Sequence, residues 1–193
     1  MMGQGQLSFD CVSCQRGGRT LFERLSFTLE PGDAAVVSGP NGIGKSSLLR
    51  LAAGLLEPVS GTIRNAGRIA LADEALGLDR HLPLANALQF WAQIDGGSVA
   101  DALVAVALDH LGQVPVRMLS TGQRKRAVLA RVIASGAPLW LLDEPGNGLD
   151  SASLKNLSVV IADHRTRGGI VLAASHQPLG IESALDIRLE ARS

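Results

Sequence analysis

The sequence has 193 residues, with 18 Lys and Arg balanced by 18 Asp and Glu, a hydrophobic share of 46% and a mean hydropathy of +0.21. This length fits one domain with a sizeable core, and the apolar, uncharged balance excludes a disordered chain. It also speaks against a nucleic-acid partner held by bulk attraction to phosphates.

A membrane span is not expected either. The most apolar stretch, Ala127–Leu142, is interrupted by Arg131, Gly136 and Pro138 and is too short to cross a bilayer. The N-terminus MMGQGQLSFD lacks the basic and apolar regions of a secretion signal, and its glycine stands at position 3, not 2, so no myristoylation start is present. A cytoplasmic chain is expected, unusually apolar for one with no span.

In chain order, Leu7–Cys14 and Leu25–Leu29 read as strands joined by a turn at Gly17-Gly18. Ala34–Ser38 reads as a short buried strand, Gly39–Gly44 as a glycine-rich loop, and Lys45–Ala53 as a helix stopped by Gly54. A short strand pair is expected around Thr62–Ile63 and Arg68–Ala72, then helices at Leu84–Gln93, Val99–Leu108 and Thr121–Ala134. Leu139–Leu142 is a bare apolar run of strand length. Ser151–Arg165 has helical character, Gly169–Ala174 reads as a buried strand, and Ile187–Leu189 as a last one. Buried strands alternating with helices predict an α/β fold with a mainly parallel sheet.

Both cysteines lie in Cys11-Val12-Ser13-Cys14. No second pair completes a zinc site, and residue 15 is Gln where haem attachment needs His. Strand alternation points residues 11 and 14 to opposite faces, so two reduced thiols in an edge strand are expected.

Three segments carry chemistry. Gly39-Pro40-Asn41-Gly42-Ile43-Gly44-Lys45-Ser46 has the spacing G-x4-G-K-S between a predicted strand and a predicted helix, with Ser47 next in the helix. Glycines let backbone N–H groups converge on phosphates, and the helix N-terminus adds partial positive charge. Lys45 suits the β- and γ-phosphates and the Ser46 hydroxyl suits Mg²⁺. Second, the apolar strand Leu139-Trp140-Leu141-Leu142 ends in Asp143-Glu144, at the edge where ligands bind in parallel sheets. Asp143 suits the Mg²⁺ shell, and Glu144 suits a base or positioner for the attacking water. Third, Leu119-Ser120-Thr121-Gly122-Gln123 opens a helix, with Ser120 placed to cap it and Gly122 leaving room for a phosphate.

In this order the motifs resemble those of the ATP-binding-cassette (ABC) ATPases over essentially the whole chain. Walker A is 39–46, the signature is 119–123, Walker B is 139–144, Gly148-Leu149-Asp150 is the D-loop, and His176 in Ala174-Ser175-His176-Gln177 is the switch histidine. The resemblance implies one ATPase domain over 1–193, with an antiparallel β subdomain and a small helical subdomain at roughly 75–135. It further implies a head-to-tail dimer, each ATP held by Walker A of one subunit and by Ser120, Gly122 and Gln123 of the other. Asp150 would join the nucleotide site and His176 would contact the γ-phosphate. His81, His110 and His164 lack motif context and are expected in solvated or core roles.

Three positions depart from the family pattern. The aromatic residue that usually stacks on adenine aligns with Arg16, in a chain with no Tyr; a guanidinium can stack on a base. The glutamine of the Q-loop aligns with Glu74, a further candidate for Mg²⁺ or water. Thr121 stands where the signature has Gly, which restricts the backbone there.

Closer stretches resemble the haem exporter ATP-binding subunits of cytochrome c maturation. They are Arg19-Thr20-Leu21-Phe22, Ala87–Ala92, Ala130-Arg131 through Pro145, and Gly168–Val171 with His176–Leu179. That resemblance implies an integral membrane transporter partner and a place on the cytoplasmic face of the bacterial inner membrane. No residue here has the context of a haem ligand. The alternatives are the ATPase of another small ABC exporter, or a soluble ABC ATPase of DNA repair or translation. The latter are usually longer and carry a coiled-coil insertion or a second cassette.

Overall fold

The computed structural model describes residues 5–190. Strands β1 (Gln6–Arg16), β2 (Arg19–Leu29) and β4 (Ser60–Ala66) form an antiparallel sheet in the order β2-β1-β4. Strands β3 (Ala34–Ser38), β5 (Ile69–Ala72), β6 (Leu139–Asp143), β7 (Ile170–Ala174) and β8 (Leu185–Arg188) form a parallel sheet in the order β5-β6-β7-β3-β8. The helices are α1 (Lys45–Ala52), α2 (Leu84–Asp95), α3 (Val99–Ala105), α4 (Thr121–Ser135) and α5 (Ser151–Thr166).

The sequence explains the layering. β6 and β7 are almost wholly buried, because both faces of a parallel sheet are covered and its strands need no polar side. One face packs with α1 and the antiparallel sheet around Leu48, Leu141 and Leu172. The other packs under α5 around Leu157 and Ile161. A separate core, built on Leu84, Leu88, Leu103 and Ala127, joins α2, α3 and α4.

Two expectations are corrected. The segments around 62–63 and 68–72 do not pair with each other: Gly67, at φ +139°, turns the chain between them. β4 joins β1 and β5 joins β6, since polar β4 suits an exposed sheet and apolar Ile69-Ala70-Leu71-Ala72 suits a buried one. The cysteine strand is central to its sheet, not at the edge. Cys11 is exposed and Cys14 buried, both as free thiols, in a stretch where the pairing register slips. Burial pushes the Cys14 thiol up.

His164 is half-buried at the rim of the α5 core. Its ring lies on Trp140 with centroids 3.7 Å apart and planes 9° apart, and Nε2 sits 3.1 Å from the Pro138 carbonyl oxygen. Burial pushes its pKa down to about 4, against the pull of backbone carbonyls. Between pH 6.5 and 4 the unfolded chain therefore binds a proton that the folded chain resists, and stability falls as pH falls through that window. Thermal unfolding is expected to show a loss of about 2 kcal/mol between pH 7 and 5 from this group. A His164→Leu chain is expected to lose less over the same range; an identical pH slope would contradict this assignment.

Candidate functional site

Because the five strands are parallel, all their carboxyl ends open on one edge. The 39–44 loop leaves β3 there, Asp143 and Glu144 leave β6, and Ser175-His176 leave β7. Residues spread from position 39 to position 176 meet at this edge because of that parallel order.

The loop needs glycine at two points. Gly39 has φ +138°, and a Cβ there would lie 2.5 Å from the Leu189 carbonyl oxygen. Gly44, at φ +121°, is the N-cap of α1, with Leu21 of β2 pressed against it. The β1–β2 hairpin thus reaches the loop, and exposed Arg16 stands at its tip across from Arg19. Pro40, Asn41 and Gly42 are exposed, Ile43 is buried as an anchor, and Ser46 and Ser47 are half-buried.

Lys45 is only 6% exposed. Its Nζ donates to the carbonyls of Gly39 at 2.9 Å and Pro40 at 3.4 Å, and lies 3.7 Å from Glu144 Oε1. The other oxygen, Oε2, accepts from His176 Nδ1 at 2.6 Å and from the His176 backbone N–H at 3.3 Å. Glu144 itself is held at φ +48°, an uncommon conformation for a residue with a side chain. One carboxylate thus stands between a lysine and a histidine at the mouth of a phosphate-type loop.

Asp143 lies deeper. Burial pushes its carboxyl up, the Ser46 hydroxyl that hydrogen-bonds it pulls the other way, and Glu144 pushes it up again. Its Oδ1 is buried with no hydrogen-bond partner among the described residues. A buried orphan oxygen beside a serine hydroxyl is a donor set that fits Mg²⁺.

Residues 22–147 match the ABC transporter family. A cytochrome c biogenesis ATP-binding export protein CcmA from Zymomonas mobilis is 56% identical over 97% of this chain and 86% of its own length. Its counterpart from Sphingopyxis alaskensis is 58% identical over 91% of this chain and 92% of its own length. The chain belongs to the CcmA family of ABC ATP-binding proteins. Its fold also matches a chain of a transporter assigned to the metal-chelate ABC type, in an inward-facing conformation. That match has a TM-score of 0.82 and 26% identity, over 98% of this chain and 80% of that one. The chain is an ABC cassette that binds ATP, and its ATPase activity is coupled to transport.

The other residues that the sequence marks as candidates stand further out in this cassette. Ser120 and Gln123 form a capping box on α4: Ser120 Oγ accepts from Gln123 N–H at 3.3 Å and Gln123 Oε1 accepts from Ser120 N–H at 2.8 Å. A Cβ on Gly122 would meet nothing within 4 Å, so the fold of one chain does not demand glycine there. Asp150 caps α5 by accepting from Ser153 N–H at 2.8 Å, which holds its carboxyl below the usual range.

Glu74 is exposed. It is Asp73, one residue earlier, whose charge acts on Asp143. The register explains this: Ala72 pairs with Leu142, so Asp73 and Asp143 each follow one member of the same pair. The sequence carries both acids, but only the strand register chooses between them. Glu74→Gln is expected to keep ATP turnover within about twofold, as for other exposed positions. A larger loss in steady-state phosphate release would put Glu74 back in the site.

Proposed function

We propose that this chain is the ATP-hydrolysing subunit of an exporter in cytochrome c biogenesis, working on the cytoplasmic face of the inner membrane with an integral membrane partner. Export, or release of a haem-loaded chaperone, is the process it would power. The observation that carries the catalytic part is Glu144 held between Lys45 and His176. The names of its relatives support the transport part. No helix among the described residues is long and apolar enough to cross a membrane, so a partner must supply the path.

The residues divide the work. The 39–44 backbone and the α1 N-terminus bind the phosphates. Lys45 exchanges its two loop carbonyls for phosphate oxygens. Ser46 and Asp143 would hold Mg²⁺, which supplies charge neutralisation to the triphosphate when bound. Glu144 orients the attacking water and accepts its proton, while His176 fixes the Glu144 carboxylate and reaches the γ-phosphate. Arg16 offers its guanidinium plane to adenine. Ser120, Gly122 and Gln123 act on the ATP of a second subunit, with Asp150 at the same boundary.

The transport assignment is tested by co-expression with multi-spanning proteins encoded beside the gene. The expected result is a detergent-stable complex whose ATPase requires Lys45. A chain that stays unbound, with full turnover alone, would contradict a transporter role.

A further inference from the structure

Arg131 of α4 is only 8% exposed and has no place in the mechanism above. A buried cation is costly unless fully bonded, and an apolar residue of similar size is often as stable. Arg131 is not fully bonded, since its Nε is buried without an acceptor among the described residues. Its other contacts are specific. Nη2 donates to the Leu71 carbonyl at 2.8 Å, at the end of β5. The guanidinium lies 4.9 Å from the ring centroid of Trp91 on α2. Trp91 Nε1 donates to the Gly77 carbonyl at 3.0 Å. Gly77, at φ +62°, brings its backbone so close that a Cβ would fall 3.1 Å from Arg131 Nε.

These contacts close on residues 73–78, the first part of the loop between β5 and α2. That loop begins with Asp73, which follows Ala72 as Asp143 follows its register partner Leu142, and whose charge acts on both Asp143 and Arg131. Asp73 Oδ1 also accepts from Ala75 N–H at 3.0 Å, which fixes the turn that follows. Arg131 sits about 15 Å along a rigid helix from the signature at its start.

We propose that Arg131 is a positioning residue. It holds the 73–78 loop so that the Asp73 carboxylate stands beside Asp143, and it ties that loop to the helix that begins with the signature. One guanidinium thus links the metal-side acids of one nucleotide site to the element that serves the other. The inference rests on the nucleotide-site reading given above.

The test uses the full chain with Arg131→Met, Asp73→Asn and the double variant, and with Glu144→Gln as a control. Equilibrium binding of ATP is measured with EDTA and with Mg²⁺, alongside turnover and thermal unfolding. For Arg131→Met, binding in EDTA is expected within about twofold of wild type, because the 39–46 loop is untouched. The gain in affinity on adding Mg²⁺ is expected to shrink, and turnover to fall about tenfold. The double variant is expected to lose no more than the worse single one, as for residues acting through one another. A folded Arg131→Met chain with normal Mg²⁺ response and turnover overturns the proposal, and so do additive losses. If that variant fails to fold, Trp91→Leu removes the guanidinium's platform and its tie to Gly77. It is expected to weaken the Mg²⁺ response in the same direction, and an unchanged response overturns the proposal. Retained turnover in Glu144→Gln would instead indict the site reading itself.

Discussion

A Glu144→Gln chain is expected to bind ATP as tightly as wild type, to lose about two to four orders of magnitude in turnover, and to accumulate as an ATP-bound dimer. The geometry separates binding from chemistry. Glutamine has the shape of glutamate, and its carbonyl oxygen can still accept from His176, so the contact at 2.6 Å survives. Lys45 and its loop are untouched, so the exchange of its loop carbonyls for phosphate oxygens remains open to it. What disappears is the group that takes a proton from water. The positive φ of Glu144 supports this reading, because strain of that kind persists where the surroundings over-determine a conformation. Phosphate release and light scattering with Mg²⁺ and ATP check both halves. Unchanged turnover would remove Glu144 from the base role. Lost ATP binding would make it a structural partner of Lys45 instead.

Much of this was readable in the sequence because the informative features are local. The loop 39–46, the acid pair 143–144 and the cap at Ser120 are each fixed by a few neighbouring residues, and the structure has the strand, loop and helix that those segments require. What was not readable depends on pairing between distant segments. Strand β5 was expected to pair with β4, and only the tertiary arrangement sends it to β6. That one choice selects Asp73 over Glu74 as the acid beside Asp143. Likewise, nothing near Arg131 in sequence announces the Leu71 carbonyl or Trp91 as its partners. The apolar excess now divides in two. Three cores absorb most of it, while Phe90, Ile94 and Met118 stay exposed at or near the helical subdomain.

The central claim is that each ATP site is built from two copies of the chain, and two inactive variants test it. Lys45→Ala removes the phosphate-binding amine. Gly122→Asp places a carboxylate where the partner's γ-phosphate would lie. In a single chain Gly122 has open space around it, and an acid near a helix N-terminus is favourable, so this variant is expected to fold normally and to bind ATP. Each variant alone is expected to be inactive in the complex with its membrane partner. In a dimer containing one copy of each, one site pairs an intact Walker A with an intact signature, and the other site carries both lesions. Complexes isolated through a different tag on each variant are expected to recover up to roughly half of wild-type ATPase, as the symmetry of the pairing requires. Mixed complexes as inactive as either variant alone, or a Gly122→Asp chain with full activity by itself, would contradict the shared site.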